Sequence, residues 1–165
     1  MLFRSKGICK LFEIFIESDK DFCLLLEDDW TCIRKLNISY ILQFLNDYNN
    51  IGQVRLREAE YNNSITGYSS YNFVSGIPIK WIDEVKIEEY SFNIGNLHWT
   101  NNPSIFRRHT INSLNFQNYK SELDLMADFQ KLYELNAQIY KGLFIHSGPW
   151  RIRQDLIKRG VIKHE

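Results

Sequence analysis

Proline and cysteine are both scarce, at three residues each in a chain of 165. The cysteines, Cys9, Cys23 and Cys32, are odd in number, match no zinc-ligand spacing and contain no Cys-x-x-Cys pair. That argues against a disulfide framework and a zinc ribbon, and it points to a reducing compartment, with the cytoplasm as the expected location. Net charge is also missing: twenty basic residues balance twenty acidic ones. A neutral chain has no general pull toward nucleic acid or an anionic membrane, so no nucleic-acid partner is expected. Long apolar runs are absent as well, which excludes a transmembrane helix, and Arg4, Lys6 and Lys10 keep the opening residues from reading as a signal peptide. No glycine-rich phosphate loop, Gly-x-Ser-x-Gly elbow or EF-hand loop occurs. Aromatic residues are plentiful at 15%, while hydrophobic residues at 44% and charged residues at 24% are ordinary for a globular protein. The length suits one domain over residues 1–165.

Periodicity predicts helix, strand, helix, strand at the start. Ile8, Leu11, Phe12, Phe15 and Ile16 fall on one helical face. Phe22 to Leu26 is a continuous apolar run, as in a strand buried on both faces. Asn37 can cap a helix whose inner face carries Ile38, Ile41, Leu42 and Leu45, and Gln53 to Arg57 reads as the next strand. This order implies an α/β fold with parallel strands. Between Glu58 and Gly95 helical periodicity fades, and Lys86 to Phe92 partly alternates, as an antiparallel or edge strand would. Asn101-Asn102-Pro103 makes a turn, after which Ser104 can cap a short helix. An amphipathic helix is expected from about Ser121 to Asn136, a strand over Gly142 to His146, and a basic helix from Trp150 to Lys158.

The sharpest chemical feature is Glu27-Asp28-Asp29-Trp30, directly after the apolar run. On a strand, Glu27 and Asp29 share one side and Asp28 takes the other. Three adjacent carboxylates repel one another unless a cation neutralises them, and Mg²⁺ or Mn²⁺ prefers such oxygen donors. In open α/β sheets, ligands bind outside the carboxyl ends of strands. The competing reading is a solvated acidic turn, and chemistry alone does not separate the two.

Leu26-Glu27-Asp28-Asp29-Trp30 resembles the DxD-type motif of GT-A glycosyltransferases related to the family 2 enzymes. Further segments are similar to theirs in the same order: Ile51 to Arg57, Asn102-Pro103-Ser104-Ile105-Phe106-Arg107-Arg108, Glu122-Leu123-Asp124-Leu125-Met126, and Phe144-Ile145-His146-Ser147-Gly148. The resemblance implies a GT-A-like mixed sheet with flanking helices, incomplete at the N-terminus because the strand–helix–strand unit for the nucleotide base is not found upstream. It implies metal-dependent transfer of a sugar from a nucleotide-sugar donor to a carbohydrate or glycoconjugate acceptor. Asp29 and His146 would hold Mn²⁺ or Mg²⁺. Glu27 and Asp28 would face the donor, with Trp30 packed beside the site. By residue type, Arg107 and Arg108 could reach the diphosphate as forked donors or form a solvated basic helix face, and these two readings stay open. Glu122 or Asp124 would be the general base, with Glu122 favoured because it sits beside the helix's apolar face.

Other readings stay open on the residues. A non-catalytic remnant or carbohydrate-binding module could keep the same fold. A metal-dependent phosphodiesterase using Glu27, Asp28, Asp29 and Glu122 is disfavoured by the neutral charge. His98 reads as a packed histidine, His109 as a surface one, and Trp81, Trp99, Trp150, Tyr68 and Tyr71 as core or as platforms for a sugar. An uncovered apolar strand at Cys23 to Leu26 implies self-association.

Overall fold

The computed structural model describes residues 2–28, 30–57, 77–100, 103–114, 119 and 121–146. The expected basic helix after Trp150, the aromatic residues Tyr68 and Tyr71, and Asp29 lie outside them. The fold is mixed α/β. A six-stranded sheet runs in the order β1 (Phe22–Leu25), β6 (Ser104–Arg107), β3 (Gln53–Arg55), β7 (Asn136–Ile139), β5 (Tyr90–Gly95), β4 (Trp81–Ile87). Two further strands, β2 (Trp30–Cys32) and β8 (Phe144–His146), pair by themselves. The helices are α1 (Leu2–Glu17), α2 (Ile38–Asp47), α3 (Arg108–Asn112) and α4 (Glu122–Leu132).

Strand β3 is parallel to β7, and β6 is antiparallel to both β1 and β3, so β1, β3 and β7 all run the same way. Their carboxyl ends form one rim of the sheet. Alternation along the strands then sends side chains to two faces. Val54, Ala137, Ile139, Phe92 and Ile105 meet Ile41, Phe44 and Leu45 of α2, with Phe44 stacked on Phe92 at 4.2 Å between ring centroids. On the opposite face, Leu25 and Phe106 meet Phe12 and Phe15 of α1, Ile111 of α3, and Leu125 and Phe129 of α4. Trp99 lies at the centre of this second core, stacked on Phe106 at 4.3 Å and edge-on to Phe12 and Phe129. At Gly52, just before β3, the end of α4 packs tightly: a Cβ there would lie 2.5 Å from Cγ of Tyr133, the helix's C-cap, and 2.9 Å from Phe129 Cζ.

Several elements differ from expectation for local reasons. The apolar run forms β1, but at the edge of the sheet, and Leu24 and Leu26 remain 38% and 45% exposed rather than buried on both faces. Leu11 and Ile38 are exposed too, and Phe44 takes the inner position of α2 that periodicity had missed. Asn37 is the N-cap residue of α2 but makes no side-chain cap bond. The alternating stretch from Lys86 to Phe92 is two strands, because Glu88 adopts φ 50° and turns the chain into a β4–β5 hairpin. Ser104 caps no helix. It begins β6, whose pairing on both sides with β1 and β3 outweighs a cap, and α3 starts only at Arg108. Helix α4 ends at Leu132, where Tyr133 turns extended and the chain re-enters the sheet as β7, a strand that helical periodicity concealed.

Candidate active site

The acidic segment leaves β1 at the carboxyl rim. Glu27 is half-buried and Asp28 exposed in a turn. The indole Nε1 of Trp30 donates to Glu27 Oε2 at 3.3 Å, folding the segment back on itself. Trp30 opens β2, and the register of β2 with β8 sets Trp30 opposite His146, Thr31 opposite Ile145 and Cys32 opposite Phe144. The residue after Asp29 therefore lies one strand spacing, about 5 Å, from the backbone of His146. The small sheet is anchored to the large one at the same rim. Leu143 N and Phe144 N both donate to Leu56 O, at 2.6 and 3.1 Å, and Arg57 forms a parallel bridge with Phe144. Ile33 N donates to Leu143 O, and Arg34 Nη1 to Gly142 O at 2.9 Å, which tightens the strand pair from its other end. The oxygen-donor chemistry of Glu27 and Asp28 suits a hard divalent cation. Among the described residues, no three His, Cys, Asp or Glu side chains gather as a ligand set.

The two arginines expected at the donor phosphates lie elsewhere. Antiparallel pairing puts Arg107 opposite Phe22, at the start of β1. Glu27 is five residues further along, roughly 16 Å away. Arg107 Nη2 donates to Tyr48 O at 3.4 Å and its guanidinium lies over Phe22. Arg108 Nε donates to Lys20 O at 2.6 Å, and its backbone N–H to Asp21 O at 2.7 Å. Both tie the amino rim together, and neither joins the acidic segment. Partial burial holds Arg107 below the ordinary arginine range.

The candidate bases open α4. Asp124 is the N3 residue of a capping box: Ser121 N donates to Asp124 Oδ2 at 3.0 Å, and Asp124 N donates to Ser121 Oγ at 3.3 Å. This satisfies two of the helix's orphan donors. Glu122 is the first residue of the helix. Helix α4 ends against the amino rim at Gly52, so its first turn lies a helix length, roughly 16 Å, from that contact.

A second polar feature on the Trp99 side was not evident in the sequence. The segment 97–100 crosses that face of the sheet, held through its own carbonyls. Gln53 Nε2 donates to Thr100 O at 2.7 Å, Asn136 Nδ2 to Leu97 O at 2.7 Å, and Arg55 Nη2 to His98 O. His98 is buried, as expected for a packed histidine, and it lies in this segment rather than in a strand. Burial first, then the charges of Arg55 and Arg57, push its imidazole down to about 3, so it is neutral at pH 7. His109 is exposed, Trp99 is core and Trp81 is half exposed. The only sequence signal for the polar row is that Gln53 and Arg55, and Asn136 and Gln138, are spaced two apart on strands.

Comparison with known proteins finds no matching family model, curated protein or solved structure. Among the described residues, no helix is long and apolar enough to cross a membrane.

Proposed function

We propose that this chain is a GT-A-type, metal-dependent glycosyltransferase of the cytoplasm that moves a sugar from a nucleotide-sugar donor to a carbohydrate or glycoconjugate acceptor. The observation that supports it most is the convergence at one rim. Glu27 and Asp28 leave β1 where β3 and β7 also end, and the next strand pairs Trp30 with His146. Bound Mn²⁺ or Mg²⁺ would neutralise charge on the departing nucleoside diphosphate. Asp29 and His146 are the proposed ligands of that ion. Glu27, fixed by the Trp30 indole, presents a carboxylate edge to the donor. Glu122 takes the acceptor proton, since the Asp124 carboxylate is engaged at the helix cap. Arg107 and Arg108 have no part in it.

The test is a panel of nucleotide sugars assayed with and without Mn²⁺, following release of nucleoside diphosphate. Asp29→Ala should abolish metal-dependent donor binding. Glu122→Gln should lower turnover by about 10²–10⁴ with donor affinity kept. If no donor binds in the presence of metal, the proposal falls. A second reading, a carbohydrate-binding domain without turnover, is favoured by the commitment of Asp124 to the capping box. Sugar binding without metal and without nucleotide release would select it. Self-association through the β1 edge, where Leu24 and Leu26 are exposed, is part of the proposal, and sedimentation at high concentration should show a dimer.

A further inference from the structure

One row of residues crosses the whole large sheet. Leu25, Ser104, Arg55, Gln138, Asn93 and Glu84 succeed one another through β1, β6, β3, β7, β5 and β4. Paired residues stand on the same face, so Arg55 and Gln138 are side by side, with backbones about 4.8 Å apart. Both side chains belong to residues only 1% exposed. Arg55 spends Nη2 on His98 O, but its Nε has no partner. None of the ion pairs among the described residues includes it. Gln138 makes no hydrogen bond through Oε1 or Nε2. A buried guanidinium without a counter-charge is strongly unfavourable, and burial first, then the neighbouring charge of Arg57, hold Arg55 well below the ordinary arginine range. A buried amide with both ends idle adds to that cost. A water molecule could occupy the amide but could not balance the guanidinium.

We propose that Arg55 and Gln138 form a site for a phosphate group. The guanidinium edge and the Gln138 N–H donate to its oxygens, and the guanidinium supplies the opposite charge. A carboxylate would suit Arg55 equally well. Only a phosphate that retains one proton also offers an O–H to Gln138 Oε1, which otherwise has no donor. The position fits a ligand: Arg55 is the last residue of β3 and Gln138 the third of four in β7, so both stand at the carboxyl rim where open α/β sheets bind ligands. His98 lies beside them: its carbonyl holds Arg55, and burial first, then the charges of Arg55 and Arg57, keep its imidazole neutral.

The test uses the whole chain in metal-free buffer, so its failure leaves the metal-dependent transfer reading untouched. Titration calorimetry with inorganic phosphate, pyrophosphate, a nucleoside diphosphate and acetate should show millimolar or tighter binding of the phosphates and weaker or no binding of acetate, which engages Arg55 but not Gln138 Oε1. Arg55→Gln should weaken phosphate binding about tenfold or more, and Gln138→Leu about tenfold. Lys86→Gln, an exposed basic residue of β4, should leave it unchanged. A nucleoside diphosphate that binds about tenfold tighter than pyrophosphate identifies the phosphate as a nucleotide's, and equal affinities identify it as free phosphate. If Arg55→Gln fails to fold, Gln138→Leu still decides, because it exchanges an idle buried amide for a similar apolar volume. Absence of phosphate binding by the wild type, binding of acetate as tight as phosphate, or unchanged phosphate binding in Gln138→Leu would each overturn the assignment.

Discussion

On the α2 side of the sheet, Val54, Ala137 and Ile139 pack into an unbroken apolar layer with Phe44 and Phe92. On the other side, the residues between them, Gln53, Arg55, Asn136 and Gln138, are just as buried and entirely polar. Burial alone therefore does not distinguish a core from a site. The α2 face gains from every side chain it excludes from water. The opposite face must find partners for the polar groups it buries: Gln53, Arg55 and Asn136 each find one by clamping segment 97–100, while Arg55 Nε and the Gln138 amide are left without. The first arrangement serves stability. The second holds a stretch of chain over the sheet while keeping polar side chains at the rim where a ligand would sit.

That contrast can be broken from either side. The largest effect should come from the apolar face: Phe92→Ala, fully buried and stacked on Phe44, should cost about 3–5 kcal/mol in urea unfolding. A cost below about 1 kcal/mol would mean that face is not the principal core. The polar face should appear next, in pH dependence. His98 titrates near 3 when folded and near 6.5 when unfolded, so below pH 6.5 the unfolded chain takes up a proton that the folded chain refuses. Its contribution is complete above pH 6.5 and is lost as pH falls toward 3. Between pH 7 and pH 5 the loss should be about 2 kcal/mol. His98→Gln should flatten the slope over that interval, and an unchanged slope would place the imidazole in water.

Smaller effects sharpen the comparison. Asp124→Ala removes the carboxylate arm of the capping box on α4, the helix packed on the Trp99 side, and should cost about 1 kcal/mol by the same unfolding assay. The exposed Lys10–Glu13 pair on α1 belongs to neither face, and Lys10→Ala should change stability by no more than about 0.5 kcal/mol.

Much of the α/β order was legible, because α1, α2, β1 and β3 each carry a local period or an apolar run. What stayed hidden has physical causes. Strand β2 is three residues long and holds its place only because β8 pairs with it, a fact no local pattern encodes. Strand β7 is four residues long and begins at Asn136, where the expected helix was to end, so the stretch Asn136–Ile139 carried no strand signal of its own. The hairpin at Glu88 needs a positive φ from a residue that seldom supplies one, so nothing marked the turn. For the site, adjacency in the chain put Glu27, Asp28, Asp29 and Trp30 together. Arg107 and Arg108 looked equally suitable by residue type, and only the antiparallel register of β1 with β6 reveals that they belong to the other rim. Arg55 and Gln138 went unremarked because strands distant in sequence bring them side by side.

The strand order also bears on how the chain is made. Strands β1 and β3 are synthesised early, yet the strand between them, β6, begins at Ser104, and the other neighbour of β3 begins at Asn136. At synthesis rates of about 5–20 residues per second, β1 and β3 wait several seconds before either can pair in the sheet. Throughout that interval Phe22 to Leu26 and the apolar face of α2 are exposed on the ribosome. Translation slowed before Ser104 would lengthen the interval in which these apolar segments lack their sheet partners and are open to aggregation.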